Sequence, residues 1–230
     1  MPRCDDAGQA FAGSQRQIQF YVNERPSVLN QAISDAFKTS FSLHWVSPLN
    51  TDGYREYWDS AFLKALGLPQ HCKELNRFWP SGGAHWDALA RAGETGVLLV
   101  EAKSHVSEIY GNGCGAKAKS SIEKIDAAIA ATKGWLHIGP QADWKGLLYQ
   151  AANRLAYLYF FREILQIEAW LANVYFTDDP HSKTSKDEWE RGIEGVKKTL
   201  GIGVVPYCAD VFLPAVKSGY PDTSKLDPIS

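Results

Sequence analysis

Apolar positions along this chain keep two rhythms, one near 3.6 residues and one of two. From Ser27, Val28/Leu29, Ala32/Ile33 and Ala36/Phe37 recur at helical spacing. Tyr54, Tyr57/Trp58, Ala61/Phe62 and Ala65/Leu66 predict a second helix, stopped at Gly67 with Pro69 beyond. Further helices are predicted from about Lys117, with Ile122, Ile125 and Ala128 on one face, from about Trp144 to Gln166, and from Asp187 to Leu200. Residues 41–46 read as a strand closed by Pro48. Residues 168–176 alternate like a second, and residues 204–213 like a last one. Residues 1–19 are small and polar and read as a loose arm. Residues 20–217 read as one domain, and residues 218–230, with Pro221 and Pro228, as a frayed tail.

The densest signal lies between these elements. Val97-Leu98-Leu99-Val100 is a run of four apolar residues, which suggests a strand covered on both faces. It ends in Glu101-Ala102-Lys103. Strand side chains repeat with a period of two, so Glu101 and Lys103 emerge on one side. Upstream, residues 85–91 form a second short segment, and Arg91-Ala92-Gly93-Glu94-Thr95 can turn the chain back. An antiparallel return brings Asp87 close to Glu101. Charges beside such a run are costly unless paired, metal-bound or solvated in a cleft. Two carboxylates and a lysine at one sheet edge make a candidate divalent-metal site with a basic neighbour. The stretch after Lys103 is helix-rich, and a crossover of this kind supports a parallel return. The order of elements predicts a three-layer α/β/α fold around a central mixed sheet.

An Asp, a gap, then Glu-x-Lys closing a hydrophobic strand resembles the PD-(D/E)XK nuclease superfamily, the restriction-endonuclease-like fold. The resemblance covers about residues 79–108 and lands on Asp87, Glu101 and Lys103, with flanking text similar to a bacterial branch. Trp86 stands where the family motif has proline. The resemblance implies that Asp87, Glu101 and the carbonyl of Ala102 ligate Mg²⁺, for which Mn²⁺ substitutes. It implies that Lys103 orients the attacking water and stabilises the transition state. A metal among carboxylates keeps Lys103 protonated, which argues against a simple general base. The expected activity is hydrolysis of phosphodiester bonds in DNA, in a bacterial defence or repair setting. Two other readings stand beside it: a nucleic-acid-binding or interaction module with little hydrolysis, and a structural ion-pair cluster.

Other residues qualify this picture. Glu56, on the polar side of the second predicted helix, either completes the metal shell, as an early-helix acid often does in this superfamily, or belongs to a solvated face. His105 either continues the face of Lys103 toward phosphate or is structural. Gln150, Asn153, Arg154 and Tyr157 share helical spacing, so Gln150 and Arg154 either approach substrate or line an exposed face. Lys117, Lys119 and Lys124 follow a glycine-rich loop, residues 110–115, read as flexible, and form a local basic patch. Asp143-Trp144-Lys145 repeats the carboxylate-x-Lys triplet but reads as a helix start. Trp45, Trp58, Trp86 and Trp170 read as core.

Composition narrows the setting. The 230 residues carry 24 Lys and Arg against 26 Asp and Glu, so any nucleic-acid footprint is local rather than global. Four scattered cysteines without a Cys-x-x-Cys pair argue against zinc and suggest reduced thiols in a cytoplasm. No apolar run approaches the roughly 20 residues of a membrane span, and the N-terminal residues lack the apolar stretch of a secretory signal.

Overall fold

The computed structural model describes residues 4–217. Its centre is a five-stranded sheet in the order β1-β2-β3-β4-β5, formed by Leu43–Ser47, Ala88–Ala92, Gly96–Lys103, Ala169–Thr177 and Cys208–Pro214. The first three strands form an antiparallel meander. β4 then pairs parallel to β3, and β5 parallel to β4. The α/β fold with a central mixed sheet agrees with the order of elements in the sequence. Residues 96–103 form an inner strand, and β2 is its antiparallel neighbour over residues 88–92.

Seven α-helices flank the sheet among the described residues: α1 (Gly13–Glu24), α2 (Pro26–Phe37), α3 (Asp59–Ala65), α4 (Cys72–Phe78), α5 (Lys119–Trp135), α6 (Tyr149–Tyr159) and α7 (Lys186–Leu200). The period of two sorts the strand residues between two cores. Leu98, Val100, Ala172, Val174, Phe176 and Val211 pack with Ile18, Leu29 and Ile33 of α1 and α2. Leu89, Val97, Leu99 and Leu171 face the opposite way and pack with residues of α3 to α7. Fully burying a Val, Leu or Phe contributes about 1.5–3 kcal/mol each, so both faces stabilise the fold. α7 is bounded as its sequence dictates. Ser185 accepts from the Glu188 N–H while Glu188 reaches back to the Ser185 N–H, and Gly201 ends the helix at φ 68. No helix among the described residues is long and apolar enough to cross a membrane.

Several expectations are corrected. Residues 13–19 are no loose arm but the first half of α1, with Gln17, Ile18 and Gln19 buried. The helix expected from Tyr54 begins only at Asp59. Residues before it are tied to the sheet, the Tyr57 carbonyl accepting from the Trp86 N–H at 3.1 Å. α6 starts five residues later than Trp144, because Asp143 accepts from the N–H groups of Lys145 and Gly146 and holds a turn. Asp143 therefore opens that turn rather than a helix. After Tyr159 the chain widens into one π-helical turn, Phe160–Ile164. The last strand begins at Cys208, not Val204. The glycine-rich loop is pinned rather than free, with Gly111 N–H on Leu147 O at 2.8 Å and Cys114 N–H on Lys145 O at 2.9 Å. Lys124 is bonded to the Asn76 carbonyl at the end of α4, and Lys119 pairs with Glu123 on its own helix. The tail at 218–230 lies outside the described residues.

Candidate active site

The β2–β3 register explains how the carboxylates meet. Ala88 lies opposite Val100, so the next step outward places Asp87 beside Glu101, on the face that Leu89 and Leu99 share. The Asp87 carboxylate accepts the Ala102 N–H at 2.7 Å, which fixes it across the strand end. Glu101 is buried, and each of its oxygens holds a cation. Oε1 meets Lys103 Nζ at 2.5 Å and Oε2 meets Arg154 Nε at 2.6 Å.

α6 lies over this point and delivers two residues one turn apart. Gln150 Oε1 accepts from Lys103 Nζ at 3.0 Å. Arg154, itself buried, also donates to the His85 carbonyl at 2.7 Å and to Asn153 at 2.9 Å. Its guanidinium lies 4.9 Å from the Trp86 ring centroid. Trp86, where the motif of the resembled family has proline, is thus the aromatic bed of the arginine. The polar side of α6 turns inward onto the sheet rather than out to solvent. Tyr157 follows it inward, its hydroxyl accepting from the Ala84 N–H at 3.4 Å.

Glu56 comes from the segment ahead of α3, not from a helix face. It is half-buried, hydrogen-bonded to Gln15 of α1, and close enough to Asp87 and Glu101 for their charges to interact. His105 turns aside: its Nδ1 contacts the Ser107 hydroxyl and N–H beyond β3, away from Glu101 and Lys103. Trp58 is no core residue, being 44% exposed and stacked on His85.

The electrostatics divide the three acids. Burial pushes Asp87 well above the ordinary aspartate range, and neighbouring Glu101 and Glu56 raise it further. Burial also acts on Glu101, but Arg154 and Lys103 overcome it and hold that carboxyl below its usual value. Burial alone would lower Lys103; the carboxylates of Glu101 and Asp87 outweigh it and hold the ammonium above its usual range. Glu56 is raised by burial first and by Glu101 among its neighbours.

Sequence reading missed the continuation of this polar row. Glu101 pairs in register with Asn173 on β4, and Asn173 with Asp210 on β5. The Asn173 amide donates to Asp210 at 3.2 Å, and Lys197 of α7 pairs with the same carboxylate at 2.8 Å. Asn173 sits at the inward parity of β4 between Leu171 and Tyr175, which was the available signal. Without the strand order nothing linked it to Glu101.

Among the described residues no group of three or more His, Cys, Asp or Glu side chains is gathered at metal-binding spacing. Two carboxylates and a main-chain carbonyl remain as hard oxygen donors, the set that Mg²⁺ accepts while keeping several waters. Repulsion from Glu101 and Glu56, which adds to burial in raising Asp87, is what a cation between the carboxylates would relieve. No family model, curated protein or solved structure matches the chain.

Proposed function

We propose that this protein is a Mg²⁺-dependent nuclease that hydrolyses phosphodiester bonds in DNA, working in the cytoplasm. The observation that carries the reading is the convergence of Asp87, Glu101 and Lys103 on one face of adjacent antiparallel strands, under Gln150 and Arg154 of α6. Four free cysteines, all half-buried, agree with a reducing compartment.

Asp87, Glu101 and the Ala102 carbonyl would hold the metal. Bound there, it would supply charge stabilisation to the phosphoryl oxygens and lower the pKa of a bound water. The protein's own groups do the remaining work. Lys103, kept as an ammonium, donates to a nonbridging phosphate oxygen as negative charge builds on it. Gln150 positions that ammonium through its carbonyl oxygen. Arg154 neutralises Glu101 when no metal is present, and its bond to the His85 carbonyl keeps it in place.

Incubating plasmid DNA and a matched RNA with the protein in Mg²⁺, with and without chelator, tests the reading. Cleavage of DNA that chelator stops and Asp87→Asn abolishes is the expected result. A protein that neither binds Mn²⁺ nor cuts either polymer overturns it.

One observation favours a second reading. Both oxygens of Glu101 already hold cations, so the cluster also works as an ion-paired lock between β3 and α6. A lock predicts no Mn²⁺ binding, and destabilisation of roughly 3–5 kcal/mol when one partner is removed.

A further inference from the structure

A cavity of about 160 Å³ opens directly from the candidate site, because Glu101, Lys103, Gln150 and Arg154 line one part of it. Its walls are apolar: Leu155 of α6, Leu171 of β4, and Ile193 and Val196 of α7. Tyr175 adds an aromatic side, backed by Trp189 at 4.7 Å between ring centroids. Asn173 and Asp210 supply the polar groups away from Lys103, and Lys197 and the exposed Val204 lie along it as well.

We infer that this cavity receives one pyrimidine base of the substrate strand, turned out of its stack. The inference rests on the nuclease reading and names how that site would grip its substrate. Apolar walls and an aromatic side suit an uncharged flat ring. The carboxylates of Glu101 and Asp210 are already paired with Lys103, Arg154 and Lys197, so the interior of the cavity suits a neutral ring better than an anion. The Asn173 amide oxygen and Asp210 offer acceptors and the Lys197 ammonium a donor, the pattern that reads a base edge. Size decides between one ring and two. A dry apolar cavity of about 150 Å³ holds a benzene molecule, so a single six-membered ring fits and a purine is oversized. Because Lys103 lies on the same cavity, a base lodged there would bring its own phosphate to the ammonium. Extruding a base from its stack is unfavourable, and least so for one already unpaired. Single-stranded or distorted DNA is therefore the favoured substrate.

Calorimetric titration of the full chain with dCMP, dAMP and 2-deoxyribose 5-phosphate tests this without requiring catalysis. The expected result is dCMP binding about tenfold or more tighter than the base-free phosphate, and tighter than dAMP. Val196→Phe, which fills the cavity, and Asn173→Leu, which removes its amide, should each erase that advantage. They should leave 2-deoxyribose 5-phosphate binding unchanged. Should either variant fail to fold, the other and the three wild-type titrations still decide. Equal binding of dCMP and the base-free phosphate overturns the inference, as does tighter binding of dAMP. DNA cleavage alongside such equality would overturn the pocket and leave the nuclease reading standing. A dCMP preference lost in the variants, with no cleavage of any DNA, would keep the pocket and remove the nuclease reading.

Discussion

The two faces of the sheet are built from the same strands and differ in almost every other respect. Under α1 and α2, the residues contributed by β2 to β5 include Ala88, Ala90, Leu98, Val100, Ala172 and Val174, and the buried Asp179 just past β4 accepts from the Gln17 amide of α1 at 3.1 Å. On the other side, one register step carries Glu101, Asn173 and Asp210 across three strands, with Lys103 and Tyr175 in the next. A uniform apolar face is the cheaper way to hold a sheet together, since each buried charge costs several kcal/mol before pairing. Carrying the strand-borne charges on one face leaves the strand residues of the other free to pack apolar side chains alone. Both faces therefore hold the fold, and one of them also carries a row of charges across the strands.

Substitutions on the two faces should break apart accordingly, and the largest effect is on cleavage. Asp87→Asn and Glu101→Gln should abolish metal-dependent cutting of DNA in a plasmid assay and weaken Mn²⁺ binding. Lys103→Ala should cost about 10²–10³-fold in rate while Mn²⁺ still binds. Asp87→Asn should leave the melting temperature unchanged or raise it, because the amide keeps an acceptor for the Ala102 N–H and loses the repulsion.

The opposite face predicts the opposite pattern. Phe176→Ala removes a fully buried ring stacked on Tyr21 and should cost about 3–5 kcal/mol in urea unfolding. Cleavage per folded molecule should stay at the wild-type level. Equal loss of activity and stability would show that the faces are coupled.

Arg154→Ala sharpens the comparison at the point where the faces' roles meet. It strands half of the buried Glu101 charge and should lower stability by about 3 kcal/mol, read from the denaturant midpoint. In a nuclease, saturating Mn²⁺ should restore part of that loss; in a simple lock, it should restore none.

The smallest effect is on pH dependence. Asp87 has a folded-state pKa above its unfolded value, so its buried charge costs stability at neutral pH. That cost is relieved as pH falls through the raised value. Glu101 is held low, so its contribution is present above the unfolded pKa and lost as pH falls through the folded one. The melting temperature should rise slightly on mild acidification and fall at lower pH, and Asp87→Asn should reduce the rise, the remainder coming from Glu56, which burial also raises. Glu56→Gln removes one like charge, so the rise should move toward lower pH.

Much of the charged face was legible along the chain. A period of two put Glu101 with Lys103, a plausible hairpin added Asp87, and helical spacing joined Gln150 to Arg154. What spacing left open was direction: whether α6 turned its polar side to the sheet depended on Glu101 being there to meet Arg154. α1 was hidden because Gln17 and Gln19 occupy interior positions. Gln19 is buried by bonding the Ala10 N–H and the Gly8 carbonyl, and Gln17 by bonding both ends of Val216. Buried amides of this kind erase the apolar stripe that reveals a helix. Glu56 was assigned to a helix whose first turn was already committed, through Tyr57, to the backbone of Trp86.

The clasp between α1 and the end of β5 sets the order in which the molecule can be made. Gln17 donates to the Val216 carbonyl and accepts its N–H, across 199 positions of sequence, and the Tyr21 hydroxyl donates to the Pro214 carbonyl. During synthesis α1 therefore waits for Val216, 199 positions on, to leave the ribosome before its final partner arrives. Closing so long a loop is entropically slow, and contacts this distant in sequence come late in folding. Until then the apolar underside of the sheet lacks its last strand and lies open to other nascent chains. Assembly of the sheet's apolar side thus depends on the pairing of α1 with the end of β5, far in sequence from Asp87, Glu101 and Lys103.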